Sequence, residues 1–537
     1  MHFNNFLITF VLLWVAASAG GKTIVADASG AKGLPLVGLA FRVVIAGDTI
    51  LVKPGTYNEG TGSWKLMNGL TIIGEGGPEV TKCIFKSSGD PVRIGGTLDE
   101  HISDVTIKGL DISNKEGQEN TIRVHYGENI LIQDCIIHDA GADGDCIKIT
   151  YSKNINIDHC VIYNPGLRAS SDYAQECVDM IDTWSSTISN SWLFHVSPYA
   201  HCLCYPKGGC GNILYENNIF GPFNASPATE FGGVVGYTGV RYYAYSCTVQ
   251  TMRNNLFLHC DGDVVQIAEA SDCYFYNNVV YNCGNAFSYK ASDALADEAR
   301  NGWIYNNIFL DDRGRMKTVY GWSPRVAVRD FKNDYNIYYN NGNSILYGAR
   351  SKGINDIVAD PLLVNPHMPS VSESSYQLSQ IQQIKSGFML KNASPAVNAG
   401  IGQIQGAELF HPDFDFLGDD RPFNGAVDIG PHEHGSSSGN ILWKNTIDYN
   451  NKPILSAWSA SPDIISLRYK SSHSGYANLS VFDIAGKIVA WKKLFTVAGE
   501  QTYIWPLPEK ISLTTGFYIA KYTQNNESVF SKFTIAK

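Results

Sequence analysis

Four stretches of the chain repeat one pattern of apolar and polar positions: ILYENNIF from residue 213, QTMRNNLFL from 250, CYFYNNVVY from 273 and GWIYNNIFL from 302. In each, alternating apolar residues run into an Asn-Asn pair and out into a second short apolar run. Looser versions precede them, NILIQDCIIHD from 129, NINIDHCVIYN from 154 and STISNSWLFHV from 186. Alternation of period two predicts strands with one buried face, and recurrence every 23 to 37 residues predicts coils that stack, because no single unit can bury its own apolar face. Asn is disfavoured inside strands. Its recurrence at one point of the coil predicts a turn where left-handed backbone and side-chain amide hydrogen bonds both help. The expected fold class is therefore all-β, a stacked parallel β-solenoid.

Composition agrees. Among 537 residues, 51 Gly and 29 Tyr suit many turns and an exposed aromatic surface, and a net charge of -10 gives the chain no general attraction for nucleic acid. An acidic substrate would need local cations. The N-terminus, MHFNNFLITFVLLWVAASAGGK, carries an apolar run from Phe6 to Ala17, shorter than the ~20 residues of a membrane span, with Ala17 and Ala19 in a cleavage-site arrangement. Residues 1–19 are expected to be a signal peptide and the mature protein to be exported. Twelve Cys lie between Cys83 and Cys283. An oxidising compartment permits disulfides without demanding them.

The first coil, GDTILVKPGTY (47–57), and the segments DPLLVN (360–365), SPAVNAG (394–400) and DFLGDDRPFNGAVDIGPHE (415–433) resemble the opening and closing parts of the right-handed parallel β-helix superfamily of secreted carbohydrate-active proteins. The resemblance places the solenoid at 20–432. A polar linker follows at 433–441. Residues 442–537, with NLSVFDIAGKIVAW and TGFYIAKYTQNNESVFSKFTIAK, read as alternating strands of a small β-sandwich. This tail resembles the C-terminal sorting domain of the type-nine secretion system of Bacteroidota, which implies that secretion machinery as a partner and a secreted or outer-membrane cell-surface location.

Stacked coils bring residues distant in sequence side by side at ~4.8 Å spacing. Aligning TIRVHY (121–126), CIKITY (146–151), CVDMID (177–182) and CLCYPK (202–207) puts Leu203 and Tyr205 in the core and Cys204 outside, with Cys146, Cys177 and Cys202 in one outward column. One face then collects Asp145, Glu176, Asp179 and Asp182 beside Arg123, His125, Lys148, His201 and Lys207. The spacing of Cys202, Cys204 and Cys210 matches no familiar zinc pattern.

The segment NINIDHCVIYN followed by ECVDMIDTWSSTISNSWLFH (176–195) resembles the pectate lyases. That resemblance implies calcium at Asp179 and Asp182 and a counterpart for the family's His at His195. Cleaving a uronate polymer by β-elimination requires a cation on the carboxylate and a base at C5. Calcium takes 6 to 8 oxygen ligands, for which Asp145, Glu176, Asp179 and Asp182 are the candidates. Lys207 is the first candidate base, its pKa lowered by a cation or desolvation, and Lys148 the second, with Arg123 and His201 beside them. His125, Tyr151, Trp184, Arg241, Tyr242 and Tyr243 are the candidate substrate contacts. The expected function is a secreted, monomeric lyase for an acidic polysaccharide. A β-helix glycoside hydrolase using a carboxyl pair and a non-catalytic carbohydrate-binding surface protein remain alternatives.

Overall fold

The computed structural model describes residues 21–166, 175–195, 202–223, 229–231, 247–267, 270–289, 298–316, 318–321, 327–340, 351–371, 376–403, 411–422, 425–436 and seven strands beyond residue 453. Residues 1–19, expected to be a signal peptide, and His201, Arg241, Tyr242 and Tyr243 lie outside the described residues. The chain divides into two compact units, 1–441 and 442–537.

The first unit is a parallel β-solenoid. One of its faces is a twelve-stranded parallel sheet built from short strands such as Asp111–Ser113, Ile136–His138 and Val161–Tyr163. The face that carries the candidate site contains β1 (Trp64–Leu66), β2 (Val92–Gly95), β3 (Ile122–His125), β4 (Ile147–Asp158), β5 (Glu176–Ser189) and β6 (Cys202–Lys207). β4 and β5 are long because each turns a corner and continues onto the next face. The corner is a residue in left-handed backbone, Tyr151 (φ 53°) in β4 and Asp182 (φ 47°) in β5.

The second Asn of each pair forms a ladder through the core of the turn. Asn218, Asn255, Asn278 and Asn307 donate their backbone N–H to the Oδ1 of the next coil's ladder residue at 2.9–3.0 Å. Asn255 and Asn278 also donate Nδ2 to the carbonyls of Tyr215 and Met252 in the preceding coil, both at 3.0 Å. The first Asn of each pair, Asn217, Asn254, Asn277 or Asn306, takes the left-handed backbone. The two jobs expected of one position are thus divided between neighbours, which is why the motif is a pair. Three of those first Asn also reach outward to the closing segment: Asn254 to the Phe414 carbonyl, Asn277 to that of Gly430 and Asn306 to that of Ile401. A fully buried pair, Arg421 Nε and Glu433 Oε2 at 2.9 Å, holds this segment together.

All twelve cysteines are buried and none is bridged. Cys146 and Cys177, expected to face outward, point into the core, where Cys146 Sγ lies 3.2 Å from the Tyr163 carbonyl. Burial pushes both thiols up, so they act as small core side chains.

His138 spans two coils on the short-stranded face. Its Nε2 lies 2.9 Å from Asp111 and its Nδ1 3.1 Å from Asp139, and its ring stacks on Tyr163 at 4.8 Å. Burial alone would lower its pKa, but the two carboxylates outweigh burial and raise it to about 9. A raised imidazole contributes stability fully present below pH ~6.5 and lost as pH climbs through about 9. His138→Gln is therefore expected to remove most of the loss of stability between pH 7 and 9.5 seen by urea denaturation. An unchanged pH dependence in the variant would contradict the assignment.

The second unit holds two antiparallel sheets. One contains Ile454–Ser461, Ile464–Ser471 and Gly499–Pro506, and the other Gly475–Asp483, Ile488–Thr496, Gly516–Gln524 and Glu527–Ile535.

Candidate functional site

The hydrogen-bonded register corrects the alignment expected from the sequence at one strand. Val178 pairs with Cys204, Asp179 with Tyr205, Met180 with Pro206 and Ile181 with Lys207. β6 is therefore shifted by one residue, and a one-residue shift exchanges the two faces of a strand. Cys204 and Pro206 are core, while Tyr205 and Lys207 point outward.

With that register, one outward column reads Lys65, Arg93, Arg123, Lys148, Asp179, Tyr205, one residue per coil. Four cations follow one another at strand spacing and end on an acid. The adjacent outward column reads Gly95, His125, Thr150, Ile181, Lys207. Lys65 and Arg93 were not among the residues expected at the site, although the alternation in WKL and VRI carries the same signal.

Asp179 is fully buried at the centre of the cluster. Its Oδ2 lies 2.6 Å from Lys148 Nζ and its Oδ1 3.0 Å from Lys207 Nζ. Lys148 also contacts Asp145 Oδ2 at 3.0 Å, and Asp145 Oδ1 accepts the Glu176 N–H at 2.9 Å. The Lys207 ammonium sits 4.0 Å above the Tyr205 ring. The lysines form the outer layer, with side chains 24% and 11% exposed over carboxyl groups that are almost wholly buried.

Burial pushes Asp145 well above the usual carboxylate range and raises Glu176. Burial would raise Asp179 too, but the ammoniums of Lys207 and Lys148 outweigh it and hold Asp179 low. Burial would lower both lysines, yet the carboxylates Asp145 and Asp179 on Lys148, and Asp179 and Glu176 on Lys207, outweigh it and raise both amines. The lowered amine expected of Lys207 is thus not what this geometry produces. The neighbouring carboxyl groups favour the ammonium form of Lys207 and Lys148.

Calcium meets the same arrangement. Asp145, Glu176 and Asp179 each offer an oxygen within 4.8 Å of the others, which suits a cation by donor type. Those of Asp179 and the Oδ2 of Asp145 already carry ammoniums, so the residues present do not fit a resident divalent ion. Asp182 does not join the cluster; it turns the corner of β5, and its Oδ1 accepts from Trp184 Nε1 at 3.3 Å. Asp145, Glu176 and Asp179 are also buried, whereas a hydrolase's two carboxyls flank a glycosidic bond about 5–9.5 Å apart.

His125 lies on the same face, diagonal to Lys148. Its Nδ1 is 2.6 Å from Thr150 Oγ1, and Thr150 Oγ1 donates to the Val124 carbonyl at 3.5 Å. In the tautomer with the proton on Nδ1, the hydroxyl accepts from Nδ1–H and Nε2 carries the lone pair. Burial, with Arg123 nearby, lowers the imidazole pKa. Tyr126 and Tyr151 stack beside it at 5.1 Å, and Trp184 is 41% exposed. His195, by contrast, is buried on the strand Trp192–His195 of the short-stranded face, where burial lowers its pKa to about 4.

Residues 60–220 match the family of the right handed beta helix region. That span holds every described residue of the β-helix site. No curated protein matches the chain. Among solved structures, pectate lyase Pel9A is 11% identical, covering 77% of this chain and 97% of its own, with a TM-score of 0.43. The A-module of the Azotobacter vinelandii mannuronan C-5 epimerase AlgE6 is 13% identical over 60% of this chain and 95% of its own, TM-score 0.36. The enzymatically active domain of bacteriophage CBA120 tailspike protein 2 is 12% identical over 96% and 77%, TM-score 0.42.

Proposed function

We propose that this β-helix binds an acidic polysaccharide along the Lys65–Arg93–Arg123–Lys148 column and cleaves it by β-elimination. The column carries the reading: four cations in register at ~4.8 Å intervals form a track for a chain with evenly spaced carboxylates, and the track runs into the lysine pair. Tyr126, Tyr151 and Trp184 at the edge of the face offer rings for sugar stacking.

In this reading Arg123 and Lys148 hold the uronate carboxylate, which stabilises negative charge as C5 loses its proton. His125 Nε2 takes that proton, because it is the neutral group on the face while the lysines are charged. The C4–O bond then breaks, the electrons of the broken C5–H bond form the C4–C5 double bond, and the leaving oxygen takes up a proton from solvent water as its chain departs. The N-terminal segment and the C-terminal unit fit export through the type-nine machinery to the cell surface.

The test is to incubate the protein with pectate, alginate and glycosaminoglycans, with and without chelator, and to follow the ultraviolet absorbance of the unsaturated uronide. A signal on an acidic glycan that persists in chelator is expected. New reducing ends without that absorbance would replace elimination with hydrolysis, and retention on a glycan column with neither signal would leave binding alone.

A further inference from the structure

We propose that the ammonium pair of Lys148 and Lys207 takes the place of a divalent cation in this site, so that the carboxylates of Asp145 and Asp179 hold no metal. The inference rests on the reading above only for which site matters. Its geometry and its test stand apart from the reaction.

Two ammoniums carry the same charge as one divalent ion, and here they sit on the oxygens such an ion would need. Lys148 bridges Asp145 Oδ2 and Asp179 Oδ2 at 3.0 and 2.6 Å, and Lys207 takes Asp179 Oδ1 at 3.0 Å. Asp145 Oδ1 is engaged by the Glu176 N–H at 2.9 Å. Both oxygens of Asp145 and both of Asp179 are therefore committed.

Neither lysine is a loose surface chain. Lys207 is pinned over the Tyr205 ring, and the backbone of each lysine is fixed in the ladder, Lys148 against Asp179 and Lys207 against Ile181. An entering ion would have to displace both amines from a buried carboxylate and then lie beside them, with like charges facing across a site of reduced dielectric. The outer surface of the cluster is left cationic, and it accepts the carboxylate of a sugar acid directly.

The experiment is calorimetric titration of the full chain with calcium, with the thermal midpoint followed in calcium and in chelator. The native protein is expected to give no saturable heat and an unchanged midpoint. The double variant Lys148→Met/Lys207→Met, which vacates the oxygens, is expected to gain saturable calcium binding and a midpoint raised by calcium. If that variant does not fold, Lys148→Met alone is titrated for the same gain. Saturable binding by the native chain, abolished by Asp179→Asn, would overturn the proposal, as would vacated variants that fold and still ignore calcium. Failure of every glycan assay would leave these results standing, so the two readings fail separately.

Discussion

His125→Ala is expected to lower kcat on the cleaved glycan by about 10²- to 10⁴-fold, the range set by losing a positioned base, with little change in KM and none in the thermal midpoint. The imidazole is half-buried rather than core, so its removal leaves no large cavity. Three features single it out: the Thr150 contact that orients the ring, the diagonal position beside Lys148, and the neutral charge state. Its lowered pKa sets the sign of the pH profile. Activity should hold as pH falls through the ordinary imidazole value of about 6.5 and decline only below it, as the ring takes up a proton. A variant with unchanged kcat, or one in which only KM rises, would remove His125 from proton transfer.

Asp179→Asn is expected to cost about 3–5 kcal/mol of stability at pH 7, because it removes the shared counter-ion of two largely buried ammoniums. The intact carboxylate contributes stability above its ordinary pKa of about 3.9, lost as pH falls through its lower folded value. The raised lysines contribute stability present below about 10.4 and lost above it. Urea denaturation should therefore show the largest gap between wild type and variant in the neutral range, narrowing toward acid. A gap under about 1 kcal/mol would mean that the cluster behaves like an exposed surface pair.

Much of the cluster was legible in the sequence, although the pairing of its charges was not. Asp145, Glu176, Asp179, Lys148 and Lys207 converge because the coil repeat brings them into adjacent strands. Asp182 could not be separated from them, since nothing local distinguishes an outward acid from a corner residue with φ of 47°. β6 misled for a physical reason. In CLCYPK the alternation fits either register, because Leu203 and Tyr205 are as plausible in a core as Cys204 and Pro206. Only the hydrogen-bond ladder chose between them.

The amino-acid pattern by itself determined the coil. Apolar residues at period two must be buried, a unit of about 23 to 37 residues cannot bury them alone, and an Asn pair recurring at one point must mark a turn. The tertiary structure alone decided charge. Whether Lys207 is a base or a cation depends on the carboxylates within 3.0 Å of it and on the water excluded around them, and those neighbours come from other coils. Electrostatic energies depend on distance and burial, which a linear pattern does not contain.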